Sequence, residues 1–211
     1  MARDNHAAAE RAALCDLLGE LGPDQPTLCE GWRTQDLAAH LLVRERRPLS
    51  AAGIVVKPLA GHLERVQGRY AAQDFPRLVD TLRRLPSWSP LRLTAVDRAA
   101  NTLEMFVHHE DVRRAQPEFH SRSLPADLER ALWSRARGLA RLQLRRFPAT
   151  VTVESPGYGE ATAGAGGPQV GLRGAPGELV LFLYGRQRVA EVELTGPDDL
   201  TARLRRARLG V

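Results

Sequence analysis

What the chain lacks narrows its identity first. Its 211 residues include two cysteines, Cys15 and Cys29, too few for a disulfide framework or a four-cysteine zinc site. A metal would therefore have to be held by histidine and carboxylate. No apolar run approaches the roughly 18 residues a bilayer-spanning helix needs. The opening MARDNHAAAERAALC places charges where a signal peptide needs an apolar stretch, so the chain reads as cytoplasmic with no membrane partner. Lysine is almost missing: Lys57 is the only one among 30 basic residues, and the rest are arginines. The net charge of +5 invites a nucleic-acid reading. Most arginines alternate with acids, however, as in RDNHAAAER, HLERVQGR and HHEDVRR, the pattern of solvated helix faces rather than of a phosphate-tracking stripe. A nucleic-acid partner is therefore disfavoured, and its best support is three denser clusters, Arg44 to Arg47, Arg145 to Arg146 and Arg203 to Arg208.

What is present describes a globular chain, with 43% hydrophobic and 26% charged residues and length enough for one large domain or a main domain with a small appendage. Apolar periodicity predicts helices over 4–21, ending at Gly22-Pro23, and from Thr34, a fair N-cap with Asp36 in the first turn, to Arg47 before Pro48. Residues 49–60 look irregular. Shorter helices are expected over 61–72 and 75–85, then a break at PSWSP. Long helices are expected over 94–115 and 125–146. Four longer helices and two minor ones suggest a bundle, whose core is a usual place for a metal or ligand site. Composition changes at Phe147-Pro148. Beyond it TVTVES and VAEVEL alternate as strands, the Gly/Ala stretch over 161–167 reads as a hairpin or loop, and DDLTARLRRARL reads as an amphipathic helix. GELVLFLYGR is open between a buried strand and a short helix. The expected fold class is α+β, with a helical bundle over 1–147 and a small α+β unit over 148–211.

The sharpest local signal is NTLEMFVHHEDVRRAQP. At ~100° per residue Glu104 and His108 are offset by ~40° and leave one helix face. Asp97 and Asp111 lie within ~20° of Glu104, and Asn101 lies ~60° away. Leu103, Val107 and Val96 flank this polar stripe on one side, with Met105 and Val112 on the other. A carboxylate set between apolar flanks must be paired, hydrogen-bonded or metal-bound. An i, i+4 pair of Glu and His can clamp a divalent ion, although such a pair is more often a surface ion pair. His109 points ~140° away from Glu104. The zincin pattern is absent, because Arg113 stands where its second histidine would be. A third ligand must come from elsewhere. His40, surrounded by Leu37, Ala39, Leu41 and Leu42 in DLAAHLLVRERR, is the first candidate, with a satisfied core histidine as the plainer reading; His62 is the second. Arg44, one turn after His40, could hold a substrate carboxylate, although a solvated helix end explains it equally well. Asp111 is placed to orient His108 or a neighbouring backbone group, with an ion pair to Arg114 as the competing reading. Cys15, within AALCDLL, reads as core. Cys29 has an acidic neighbour, Glu30, where a reactive cysteine usually has a basic one, so neither thiol is expected to be catalytic.

The segments TLCEGW, DLAAHLLVRERRP, EMFVHHEDVRRAQP and GAPGELVLFLYGR, in this order, resemble an uncharacterised bacterial family, best populated in actinobacteria, within the mycothiol-dependent maleylpyruvate isomerase group. The resemblance runs from end to end. It implies a DinB-like four-helix bundle followed by a small α/β domain resembling sterol-carrier modules. It also implies a divalent metal, zinc by preference, on His40, Glu104 and His108, with water or a low-molecular-weight thiol of the mycothiol or bacillithiol type at the open position. It favours helix for GELVLFLYGR, with Gly185 as its C-cap. It carries over to Arg186 the role of an active-site arginine, against the plain reading of a charged residue past a helix end. The expected function is a thiol-using isomerase or S-transferase acting on a small electrophile, as monomer or homodimer. The alternative is a non-catalytic metal- or small-ligand-binding protein in stress or regulation.

Overall fold

The computed structural model describes residues 6–46, 60–84 and 95–210. The irregular stretch after Pro48 and the PSWSP break lie outside them, as do the side chains of His62, Val96 and Asp97. The chain separates into two compact units, residues 1–120 and 121–211.

The N-terminal unit is helical: α1 (His6–Leu21), α2 (Thr34–Arg46), α3 (Ala60–Ala71), α4 (Phe75–Arg83) and α5 (Ala95–Arg113). Helix α1 packs on α5 and α4, and α2 packs on α4 and α3. Leu14, Cys15 and Leu18 of α1 share a core with Leu37 and Leu41 of α2, Leu78 and Leu82 of α4, and Met105 and Val112 of α5. Short α4 earns its place because Phe75, Leu78, Val79 and Leu82 form one apolar stripe, while Asp74 caps its start by accepting from the Arg77 backbone N–H. At the start of α2 the cap differs from expectation. The Thr34 hydroxyl donates to Gly22 O at 2.5 Å, and Asp36 closes the helix by accepting from the Arg33 backbone N–H at 3.0 Å. Gly22, at φ 79°, turns the chain out of α1 as its N–H bonds to Leu18 O.

The C-terminal unit begins with α6 (Ala126–Gln143), followed by β1 (Thr150–Ser155), β2 (Gly159–Gly164), β3 (Gln169–Gly174), α7 (Pro176–Leu183), β4 (Val192–Thr195) and α8 (Asp198–Arg205). The sheet order is β2-β1-β3-β4, with β1 antiparallel to β2 and parallel to β3, and β3 antiparallel to β4. Helix α6 packs on α7, β2 and β1, so the division falls at 120/121 and not at the compositional change near residue 148. The physical reason is that Val151, Val153, Val170 and Leu172 bury one side chain in two along β1 and β3, an apolar surface that needs a helical cover. The Leu128, Leu132, Ala136, Ala140 stripe of α6 helps supply it. Residues 176–183 are helix, and Gly185 follows at φ 89°. Among the described residues no helix is long and apolar enough to cross a membrane.

Candidate metal centre

His40 on α2 and Glu104 and His108 on α5 converge within the N-terminal unit. One ligating atom from each lies within 4.8 Å of the other two. His108 Nε2 is 3.3 Å from Glu104 Oε1, and His40 Nε2 is 4.0 Å from the same oxygen. The imidazoles of His40 and His108 meet edge to face with centroids 5.5 Å apart. Both histidines are buried, and Glu104 is largely so. A cluster of side chains suited to a divalent ion is therefore present.

The charges around this point leave His40 and Glu104 in their ligating forms and favour the protonated form of His108. Burial, with the facing His108, pushes the pKa of His40 down to about 4, so that imidazole is neutral at pH 7. Burial alone would raise Glu104, but its hydrogen bond to His108 and the nearby Arg44 charge outweigh it and hold the carboxyl at about 2. Burial likewise opposes charge on His108, yet hydrogen bonds to Asp111, Cys29 and Glu104 raise it well above the ordinary histidine range. Between two carboxylates His108 holds a proton on the side where an ion would sit.

The surrounding side chains tie the three donors to the fold. Asp111 Oδ2 lies 3.0 Å from His108 Nδ1, which turns Nε2 of that ring toward Glu104. Arg114 instead pairs with Glu110 at 2.7 Å, and His109 turns away to Glu10 at 2.9 Å. Arg44 places Nε 3.2 Å from Glu104 Oε1 and donates from a second nitrogen to Asn101 Oδ1 at 2.9 Å. Arg186 belongs to the C-terminal unit, where its guanidinium donates to Tyr184 O at 2.7 Å.

Three contacts were not foreseen from the sequence. The loop over 22–33 is folded by the Thr27 hydroxyl, which donates to Trp32 O at 2.9 Å and accepts from the Cys29 N–H, and it is tied to α5 by Leu28 N–H donating to Asp111 O. This brings Cys29 Sγ to 3.3 Å from Asp111 Oδ2 and 3.9 Å from His108 Nδ1, so Cys29, His108 and Asp111 form a second metal-capable set on the opposite edge of the same ring. The loop also lays Trp32 against His40, centroids 4.8 Å apart. Gln67 of α3 hydrogen-bonds His40. The only sequence signal for the first two was their place in TLCEGW just before α2; nothing marked Gln67.

A structure of a mutant mycothiol-dependent maleylpyruvate isomerase superposes with a TM-score of 0.60 at 14% identity, covering 90% of each chain. A second structure of mycothiol-dependent maleylpyruvate isomerase does so with a TM-score of 0.52 at 17% identity, again over 90% of each. The chain shares their fold. At this identity the likeness extends to the architecture alone. No protein-family profile matches the chain, and no curated protein matches it in sequence.

Proposed function

We propose that the chain is a divalent-metal-dependent enzyme that works with a low-molecular-weight thiol, of the isomerase or S-transferase kind, on a small electrophilic substrate. One observation carries the reading: two imidazoles and one carboxylate converge, a donor number that leaves coordination positions free for ligands from solution. The likeness to structures named as mycothiol-dependent isomerases supports the thiol half.

The donor set fits a divalent ion such as Zn²⁺. His40 is neutral, Glu104 is ionised, and His108 has Nδ1 turned to Asp111 with Nε2 on the Glu104 side. An ion there would take the place of the proton that His108 now holds. Bound, it would supply Lewis acidity, favouring thiolate over thiol near neutral pH. The chain's own residues do the positioning. Arg44, with two nitrogens committed to Glu104 and Asn101, keeps its remaining nitrogen for an anionic group of the substrate. Trp32 packs on His40 and limits the approach from that side. Cys29 is engaged with Asp111, so the reacting thiol comes from solution.

The test loads the metal-free protein with Co²⁺ and titrates it with N-acetylcysteine and with mycothiol. A near-ultraviolet sulfur-to-cobalt charge-transfer band that grows with added thiol, and is missing in His40→Ala, is the expected result. Cobalt bound without the band would replace this reading by the non-catalytic metal- or ligand-binding one. Failure to bind cobalt at all would end every metal-dependent reading and leave only small-ligand binding.

A further inference from the structure

Two of the arginine clusters that stand out in the sequence, Arg145 to Arg146 and Arg203 to Arg208, come together in the C-terminal unit. A cavity of about 460 Å³ lies between the end of α6 and the segment that follows α8. Arg146, Arg203, Arg206 and Arg208 line it, over Leu144 and Phe147, which are buried. All four arginines are exposed, and among the described residues no carboxylate or side-chain hydrogen bond engages any of them.

The wall that carries Arg206 and Arg208 is fixed in place. Gln187 Nε2 donates to Ala207 O at 2.6 Å and Gln143 Nε2 donates to Gly210 O at 3.2 Å. A Cβ on Gly185 would stand 2.7 Å from Leu209 O, and one on Gly210 would stand 2.7 Å from Tyr184 O. Both glycines have positive φ, so the two backbones meet at a distance only glycine allows. The arginines therefore converge on a built surface and not on a loose tail.

Neutralisation of helix ends does not account for four charges. The C-terminal ends of α6 and α8 both reach this cavity, and each is worth roughly half a negative charge. Four guanidiniums leave a large positive surplus that no acid on the cavity wall offsets. We propose that this cavity is a binding site for a small dianion, a phosphate monoester attached to an apolar body. The guanidinium fork matches a phosphate in bidentate fashion, the exposed Pro148 and half-buried Leu209 of the same lining receive the apolar part, and the volume is that of a small-molecule pocket, roughly 300–1,000 Å³. A single-stranded nucleic acid fits less well. It calls for an extended basic groove with exposed rings for stacking, whereas Phe147, the one aromatic lining residue, is buried.

The full chain is titrated calorimetrically with 1-naphthyl phosphate, with neutral 1-naphthol and with a single-stranded oligonucleotide. The site predicts saturable binding of the phosphate, weakened on the order of tenfold or more in Arg203→Ala/Arg206→Ala. It predicts little binding of 1-naphthol and no change in Arg205→Ala, a neighbour on α8 that does not line the cavity. Equal binding of naphthol, or tight oligonucleotide binding without naphthyl phosphate binding, would overturn the proposal. So would loss of thermal stability in the double variant with phosphate binding intact, which would reduce the arginines to helix-end partners. No binding of any probe would overturn it as well.

Discussion

The two units bury different things. Inside the N-terminal unit charged groups are held in pairs: Arg11 with Glu45, Glu10 with His109, Glu110 with Arg114, and His108 with Asp111. In the C-terminal unit the buried polar side chains among the described residues are Ser155 and Gln187, set among Val151, Val153, Val170, Leu172, Leu181 and Phe182. The second interior follows from alternation and helical stripes, as hydrophobic burial requires. Folding alone gives no reason for the first, because a buried ion pair often costs as much desolvation as it returns in attraction. Breaking one member of such a pair is nonetheless costly, and the candidate metal centre lies in this interior.

The largest expected effect breaks one of those pairs. Arg11 and Glu45 join α1 to α2 with both side chains almost wholly buried. Glu45→Ala leaves the Arg11 charge without its partner and should cost about 3–5 kcal/mol in urea unfolding. Replacing both residues, Arg11→Met with Glu45→Leu, should cost far less, because no buried charge is stranded. Phe182→Ala is the matching change in the C-terminal interior. It should cost a similar ~3–5 kcal/mol through the cavity it leaves, and metal binding should persist, since no expected ligand lies in that unit. If Glu45→Ala costs no more than a surface pair, the contrast between the interiors carries no energy.

Acid should act on the first interior before the second. The folded chain holds the pKa of His40 at about 4, against 6.5 for an ordinary histidine, so the unfolded chain binds a proton there that the folded chain refuses. The His40 share of the stability is therefore fully present above ~6.5 and falls as pH drops toward ~4, by roughly 3 kcal/mol, while the raised pKa of His108 works in the opposite sense, its share being complete below ~6.5 and lost as pH rises. Glu104, held at about 2, adds its own loss only at lower pH, as pH falls from the ordinary carboxylate range through 2. Hydrogen exchange of the metal-free protein at pH 7 and pH 5 should show protection falling in α2 and α5 while β1 and β3 keep theirs. In His40→Phe the difference between the two pH values should shrink. Equal losses in both units would place the acid sensitivity elsewhere.

Most of the architecture was legible because it rests on short-range patterns. The stripe of α4, the alternation of β1 and the tail helix α8 can each be read in a window of ten residues or so. The assignment of α6 could not, since a helix apolar along one face suits a bundle and a sheet equally, and only the sheet's need for a cover decides. The same divide runs through the site. Glu104, His108 and Asp111 share one helix, so their meeting follows from helical geometry, whereas His40, on another helix, is named as a ligand by the resemblance alone and lies beside Glu104 and His108. Trp32, Cys29 and Gln67 depend on the path of a loop and on the packing of a third helix, which no spacing rule encodes. Thr34 shows the limit at a single residue: the helix start was legible, but the partner of its hydroxyl was not.

A smaller effect is expected where a carboxylate acts on a ligand without touching an ion. Asp111→Asn keeps the shape beside His108 Nδ1 and removes the charge that fixes the ring. Zinc affinity, measured by competition with a chromophoric chelator, should fall by about tenfold or more. Because Arg114 is already held by Glu110, the variant breaks no ion pair to that arginine. An affinity within about twofold of the parent would mean that the fold, not Asp111, orients the imidazole.

The smallest effect should come from Cys29, and it separates the polar groups that hold the site from those that merely border it. Its Sγ donates to Asp111 Oδ2 at 3.3 Å, a weak neutral donor on a carboxylate that His108 already engages at 3.0 Å. In Cys29→Ser a hydroxyl can take over that donation from a slightly shorter reach, while the loop remains tied by Thr27 and by the Leu28 bond to Asp111 O. Zinc affinity should therefore stay within about threefold of the parent, well short of the loss expected when a ligand's orienting partner is removed. Cys15, the other thiol, is buried in the core with its pKa pushed up to about 11 by that burial, so it offers no thiolate to compete with an added one. The cobalt charge-transfer band on addition of thiol should then be the same in Cys29→Ser as in the parent. Should the metal remain bound while the band disappears, Cys29 itself would be the sulfur that matters, and the thiol from solution would have no part in the reaction.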